Sequence, residues 1–286
     1  MSPIYSDFVT TSQLAAHLKD PLWVAIDCGF DLAAPTWGRE NYLSGHIPGA
    51  QYAHLDNDLS APRTPQTGRH PLPDPRDMAE RLSAWGIGPG RQVVVYDTAG
   101  GAFASRLWWM LRYYGHTAAA ILEGGYGKWV AEDRPLVEGQ EPARARVEFV
   151  FDIHPEMVLS QAEVETIRRD PSWKLIDARS AVRFRGEQEP IDPVAGHIPG
   201  AVNRFHGENL NSDGVLLPKS VLRRQFRALT GDTPIERTAV YCGSGVTSCF
   251  HIAAMHRAGL GMPRLYAGSW SEWIRDPNNP IASGPA

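Results

Sequence analysis

Gly45-His46-Ile47-Pro48-Gly49-Ala50 recurs letter for letter as Gly196-His197-Ile198-Pro199-Gly200-Ala201, and this duplication organises the whole chain. A strand ending in Asp precedes each copy, Trp23-Val24-Ala25-Ile26-Asp27 in the first and Lys174-Leu175-Ile176-Asp177 in the second. Nineteen residues separate Asp27 from His46, and twenty separate Asp177 from His197. An apolar strand follows each copy, Val93-Val94-Val95-Tyr96 and Thr238-Ala239-Val240-Tyr241. A third pair of landmarks, Gly124 to Trp129 and Gly268 to Trp273, keeps the same five-residue spacing. Matched landmarks in one order predict two homologous domains, residues 1–137 and 156–286. Residues 138–155 then form a linker, opening on Glu138-Gly139-Gln140-Glu141-Pro142 and carrying the charged stretch Arg144-Ala145-Arg146.

Within each half, short apolar strands alternate with helical patterns at Ser12–Lys19, Pro75–Trp85, Ser105–Tyr114, Ser160–Arg169 and Lys219–Leu229. Such alternation predicts an α/β fold in which each domain is a mainly parallel sheet flanked by helices on both faces. Ligands on such sheets bind at the carboxyl ends of the strands.

Composition narrows the function classes. The 286 residues are 43% hydrophobic and 21% charged, and the net charge is −4 with no strongly basic or acidic block. Nothing in this balance points to nucleic acid or to a membrane surface. No run approaches 18 apolar residues, and no apolar segment follows a basic start. The cysteines, Cys28, Cys242 and Cys249, make neither a CxxC pair nor a disulfide framework. A reducing cytoplasm, in which Cys242 stays a thiol, is the expected setting.

Chemistry concentrates in Tyr241-Cys242-Gly243-Ser244-Gly245-Val246-Thr247-Ser248. A strand, a tight loop that begins with Cys, and then a helix can build a reactive thiolate. Glycines let backbone N–H groups turn inward as an anion nest, and the helix N-terminus favours S⁻ over SH. The competing reading, a small buried cysteine under a Gly-rich turn, applies to lone cysteines generally, but the loop chemistry outweighs it here. Aligning Tyr96 with Tyr241 places Asp97 opposite Cys242. The first half therefore has no nucleophile at this point and reads as a catalytically inactive copy that covers the cleft of the second.

The repeated Gly-His-Ile-Pro-Gly-Ala segments, together with Trp108-Trp109-Met110-Leu111-Arg112 and Gly115-His116, resemble the tandem-domain rhodanese-like sulfurtransferases over nearly the whole chain. Members that use thiosulfate typically carry Cys-Arg-Lys-Gly-Val-Thr, and those that use 3-mercaptopyruvate carry Cys-Gly-Ser-Gly-Val-Thr. Cys242 to Thr247 matches the second pattern throughout, with Ser248 in place of the usual Ala. Charge argues the same way: thiosulfate, a small dianion, suits two basic neighbours, whereas Gly243 and Ser244 are neutral.

The resemblance implies further roles. Arg183 matches the substrate-binding arginine, whose planar guanidinium can hold a carboxylate through two hydrogen bonds. A second arginine usually follows nine residues later; here that position is Asp192, as in thiosulfate-type enzymes. Ser244, with His70 and Asp56 from the first domain, matches a relay that could polarise the ketone and protonate the departing enolate. Gly243, Gly245, Val246 and Thr247 complete the loop around the sulfur. Arg179 is expected to brace the sheet edge near Asp177.

Other features carry less. His251 and His256 are five apart, not at zinc-helix spacing, and read as ordinary helix residues. Gly124-Gly125-Tyr126-Gly127 lacks a phosphate-binding pattern and reads as a turn before a helix. His46 and His197 are expected to hold turns, and Cys28 and Cys249 to be buried, inert thiols. Phosphatases of related fold have a loop one residue longer, with Arg six positions after Cys; here residue 248 is Ser.

The expected reaction is sulfur transfer from 3-mercaptopyruvate through a Cys242 persulfide to a small thiol, cyanide or thioredoxin, with no metal or organic cofactor. Thiosulfate:cyanide sulfur transfer and a non-turnover persulfide carrier or binding module are the alternatives.

Overall fold

The computed structural model describes residues 4–285, and the chain resolves into two compact units. The first takes the chain through Ala61, then Pro73–His154 and Leu210–Leu216; the second takes Pro62–Leu72, Pro155–Asn209 and the chain from Leu217 onward.

The first unit contains β1 (Phe8–Val9), α1 (Thr11–Ala16), β2 (Trp23–Asp27), α2 (Trp37–Ser44), β3 (Gln51–Tyr52), α3 (Pro75–Ala84), β4 (Gln92–Tyr96), α4 (Ala104–Tyr113), β5 (Ala119–Leu122) and α5 (Gly125–Ala131). Its strands pair in parallel in the order β1-β5-β4-β2-β3. Alternate side chains of β2 and β4 face opposite sides of the sheet, yet Val24, Ile26, Val93, Val94, Val95 and Tyr96 are all inaccessible to solvent. Continuous apolar runs of this kind form strands covered on both faces.

The second unit contains β6 (Val158–Leu159), α6 (Gln161–Ile167), β7 (Lys174–Asp177), α7 (Ala181–Phe184), β8 (Ala201–Asn203), α8 (Lys219–Thr230), β9 (Thr238–Tyr241), α9 (Ser248–Arg257), β10 (Arg264–Tyr266) and α10 (Ser269–Trp273). Its strand order, β6-β10-β9-β7-β8, is the first order repeated, again with parallel pairs.

The duplication extends to single hydrogen bonds. His46 Nδ1 lies 2.7 Å from the Tyr42 carbonyl oxygen, and His197 Nδ1 lies 2.7 Å from that of Phe184. The Ile47 N–H donates to the Tyr96 hydroxyl, and the Ile198 N–H to that of Tyr241. Trp129 and Trp273 each donate Nε1 to a proline carbonyl, Pro135 and Pro280. The repeated histidines thus hold turns. Both α1 and α6 open with capping boxes, Thr10 with Gln13 and Ser160 with Glu163, each cap contributing about 1 kcal/mol.

Strands β2, β7 and β9 have the bounds their sequence predicts, and β4 begins one residue earlier. Helix α1 ends at Ala16 rather than at Lys19. Pro21 disfavours helical geometry in the residue before it, and the chain turns instead through a hydrogen bond from the Asp20 N–H to the His17 carbonyl.

Two segments depart from a simple halving of the chain. Residues 139–154 run along the first unit: Arg144 Nη2 donates to the Trp23 carbonyl at 3.0 Å, and the Asp152 N–H donates to the Tyr114 carbonyl. Residues 62–72 belong to the second unit. There Gly68 packs so closely on the Gly268 carbonyl that a Cβ would clash, and the Arg69 N–H donates to Ser271 Oγ at 2.9 Å.

Candidate active site

Strand β9 delivers Cys242 to the carboxyl end of the sheet, and the loop closes where α9 begins at Ser248. Cys242 is 2% exposed. Its N–H donates to Ser269 Oγ at 3.1 Å, and its carbonyl accepts from the Trp270 N–H. The Gly243 carbonyl accepts from the Ser271 N–H, so the nucleophile's backbone is pinned to the start of α10. Gly245 has φ +73°, and a Cβ there would run into the Ala267 carbonyl, so the turn requires glycine.

Burial by itself pushes the Cys242 thiol up. The Ser248 and Thr247 hydroxyls and the Ser244 and Ser248 N–H groups outweigh it and hold the thiol below its ordinary value. Ser248 Oγ is fully buried, and its hydroxyl is the leading influence that lowers the thiol. Thr247, the N-cap of α9, makes no side-chain cap, so its hydroxyl also serves the sulfur.

Ser269 holds φ at +54°, a left-handed conformation that side chains avoid. Its counterpart in the first unit is Gly125, at φ +55°. The hydroxyl explains why serine is kept: Ser269 Oγ donates to the Tyr266 carbonyl and accepts from the Cys242 N–H.

His70 Nδ1 lies 2.7 Å from Ser244 Oγ, and both residues are buried. The second unit itself thus joins two members of the expected relay, because residues 62–72 belong to it. Asp56 lies in the first unit, on the turn after β3, where its N–H donates to His54 Nδ1.

Arg183, on α7, directs Nε at both carboxylate oxygens of Glu189 (3.0 and 3.1 Å) and Nη2 at Asp192 Oδ2 (3.0 Å). Asp192 offers its other oxygen, Oδ1, to Arg69 Nη1 at 2.6 Å. Both guanidiniums border the nucleophile loop: Nη2 of Arg69 and of Arg183 lie 3.0 and 3.6 Å from where a Gly243 Cβ would stand. Arg179 is paired through Nε and Nη2 with Asp177 and bonds the Gly196 carbonyl, a buried brace at the sheet edge. Beside the loop, a cavity of about 410 Å³ is lined by Arg63, Arg69, Asp192, Ser271 and Arg275 among others.

The rhodanese-like domain model matches residues 10–132 and again 160–276. The chain belongs to the rhodanese family. A Pseudomonas aeruginosa protein named "Probable 3-mercaptopyruvate sulfurtransferase" is 46% identical over 98% of this chain and 99% of its own length. A Mycobacterium tuberculosis protein named "Putative thiosulfate sulfurtransferase SseB" is 36% identical over 97% of each. The solved 3-mercaptopyruvate sulfotransferase SseA of Escherichia coli superposes with a TM-score of 0.80 at 32% identity, covering 94% of this chain and all of that one. The tandem, parallel-sheet architecture of this rhodanese chain is that of the 3-mercaptopyruvate sulfurtransferase type.

In the first rhodanese unit, Asp97 stands at the position of Cys242. Its buried carboxylate accepts N–H bonds from Ala99, Gly101, Phe103 and Ala104 at 2.7–2.8 Å. Burial pushes its pKa up while these four donors oppose the rise. The anion nest is kept, and the chain's own carboxylate fills it. Cys28 is buried, and burial with Asp27, Asp97 and Asp58 nearby pushes its thiol well up. Cys249 is also buried, with Sγ against the Gly245 carbonyl. His251 is buried between the Arg204 carbonyl and Asn209, and burial pushes its pKa down to about 3. Among the described residues no group of three or more His, Cys, Asp or Glu is placed to hold a metal ion, and no helix is long and apolar enough to cross a membrane.

Sequence reasoning did not single out Arg69, Ser269 or a role for Ser248. Arg69 had one signal, its place beside His70, but its partner Asp192 is 123 residues away.

Proposed function

We propose that this protein transfers the sulfur of 3-mercaptopyruvate, through a persulfide on Cys242, to a thiol or cyanide acceptor. The single observation that carries this reading is the Cys242 thiol, held below its ordinary value by Ser248, Thr247 and loop N–H groups, with the His70–Ser244 pair adjoining it. The family and the names of the relatives support the same reaction class.

The Cys242 thiolate attacks the sulfur of the donor. The carbon–sulfur bond breaks, its electron pair goes to the carbon as the enolate of pyruvate, and a sulfur–sulfur bond forms on Cys242. Ser244, backed by His70, positions a proton for the enolate carbon. Arg183 supplies positive charge beside Gly243 for the donor's carboxylate. Backbone N–H groups of the loop, shaped by Gly243, Gly245 and Val246, stabilise the terminal sulfur of the persulfide. An acceptor thiol, thioredoxin included, or cyanide then takes that sulfur and returns the thiolate. Neither half-reaction calls for a metal or an organic cofactor. The residue 1–137 half acts as the inactive copy, with Asp97 in place of the nucleophile. A reducing compartment such as the cytoplasm suits an enzyme whose nucleophile must persist as a thiol.

A thiosulfate donor has one observation in its favour: two guanidiniums, Arg69 and Arg183, border Gly243 and could serve a dianion. Steady-state turnover with each donor and a common acceptor, with Cys242→Ser as control, separates the readings. A preference for 3-mercaptopyruvate that vanishes in C242S supports the first; a preference for thiosulfate replaces it, and no turnover with either points to a persulfide carrier.

A further inference from the structure

The cavity of about 410 Å³ beside the nucleophile loop is formed wholly by residues of the second unit, and its lining is of two kinds. Part of it is cationic: Arg63, Arg69 and Arg275 face a single carboxylate, Asp192. That carboxylate is already committed, Oδ1 to Arg69 Nη1 at 2.6 Å and Oδ2 to Arg183 Nη2 at 3.0 Å. The cavity therefore keeps an excess of positive charge. Arg275 follows α10, its backbone N–H fixed to the Glu272 carbonyl, and its exposed guanidinium is paired with no carboxylate among the described residues. The rest of the lining, Ser271 apart, is apolar: Ile191, Pro193 and Ile274, with Ile191 43% exposed. The Ser271 N–H donates to the Gly243 carbonyl, so the cavity lies one hydrogen bond from the residue after Cys242. Arg69 and Asp192 reach to 3.0 and 3.7 Å from where a Gly243 Cβ would stand.

A three-carbon donor carries its carboxylate too close to its sulfur to span from Cys242 to Arg275. Cations set beside apolar side chains, at a distance from the sulfur, suit a longer molecule with an apolar arm and an anionic end. We infer that this cavity holds the acceptor: a thiol whose carboxylate is carried on an apolar arm, with the arm along Ile191 and Ile274 and the carboxylate at Arg275 and Arg63. The inference rests on the persulfide reading above and deepens it by naming the acceptor's class. The acceptor thiolate attacks the outer sulfur of the Cys242 hydropersulfide. The sulfur–sulfur bond breaks, its electron pair returns to Cys242 as the thiolate, and the acceptor leaves as its own hydropersulfide.

The test compares 6-mercaptohexanoate with 6-mercaptohexanol as acceptors, at a fixed concentration of 3-mercaptopyruvate. The two share an arm and a thiol and differ in charge. Wild-type enzyme should show the lower KM for the acid. In Arg275→Gln the ratio of alcohol KM to acid KM should fall about 3- to 10-fold, the worth of one partly exposed charge-assisted contact. Arg275→Glu should invert the preference, and Arg63→Gln combined with Arg275→Gln should remove it. Should a variant fail to fold, the wild type still decides: added salt should raise the KM of the acid and leave that of the alcohol in place. A wild type without preference, a KM for the acid indifferent to salt, or a ratio that survives in Arg275→Glu would overturn the assignment. Sulfur transfer to cyanide but to neither mercaptan would also overturn it, while the persulfide reading stands. No transfer even to cyanide would remove that reading, and this inference with it.

Discussion

His70 Nδ1 and Ser244 Oγ stand 2.7 Å apart in the second unit, 174 residues apart in the chain. A buried imidazole at hydrogen-bond distance from a hydroxyl can drive a proton along that contact, which is what a departing enolate needs. His70→Ala should lower kcat with 3-mercaptopyruvate about 100-fold or more. Ser244→Ala should do the same, and the double variant should fall little further, because the pair acts as one unit. Losses that simply multiply in the double variant would show that the two residues act separately.

Ser248 takes the place of the Ala usual at the end of this loop, and its buried hydroxyl acts on the sulfur. Ser248→Ala should therefore raise the Cys242 pKa. The rate of alkylation by iodoacetamide, followed against pH, reads this directly. In the wild type the rate should rise through a pKa below that of an ordinary thiol, and in S248A the midpoint should move to higher pH. An unmoved midpoint would remove Ser248 from the account.

Ser269 trades backbone comfort for a hydroxyl. A non-glycine residue in the left-handed region costs about 1–3 kcal/mol. Ser269→Gly should relieve part of that strain and raise the urea midpoint of the unit. It should also lower kcat, because the Cys242 N–H loses its acceptor. A variant that is more stable and equally active would show that the Ser269 hydroxyl does nothing for the nucleophile.

Asp27 offers a pH test in the first unit. Burial pushes its pKa up to about 7, against the opposing hydrogen bonds from the Gly29 N–H and Tyr96 and with a further rise from Asp97. The folded unit therefore holds a proton that the unfolded chain releases near the ordinary carboxylate value. Its contribution to stability is full below that ordinary value, declines as pH rises towards 7, and becomes a constant penalty above. Asp27→Asn keeps an oxygen for the Gly29 N–H and carries no charge. Its urea midpoint should exceed the wild-type value at pH 8 and approach it at pH 4. Equal differences at both pH values would mean that Asp27 does not titrate in this window.

Much of this was legible in the sequence because it was written locally or written twice. The Gly-His-Ile-Pro-Gly-Ala copies fix two turns, and the apolar runs before, between and after them fix β2, β4, β7 and β9. Cys242 to Thr247 announces a thiolate because glycines and hydroxyls adjoin one cysteine. Asp192, by contrast, reads as the loss of an arginine until its partner is seen. The Arg69–Asp192 pair joins residues 123 apart, and no local pattern encodes such a distance. The assignment of residues 62–72 to the second unit was equally hidden. It depends on the close approach of Gly68 to Gly268 and on the Arg69 N–H bond to Ser271, both contacts of folded chain. The strain at Ser269 is a backbone angle, which composition does not carry.

The central claim is that Cys242 receives a sulfur atom from 3-mercaptopyruvate. Reduced protein should be mixed with the donor in the absence of any acceptor and its intact mass and Cys242 peptide measured. The account predicts one added sulfur per chain, located on Cys242, formed together with one pyruvate, and released on adding cyanide. Pyruvate without a sulfur adduct, or an adduct on Cys28 or Cys249 that persists in Cys242→Ser, would contradict it.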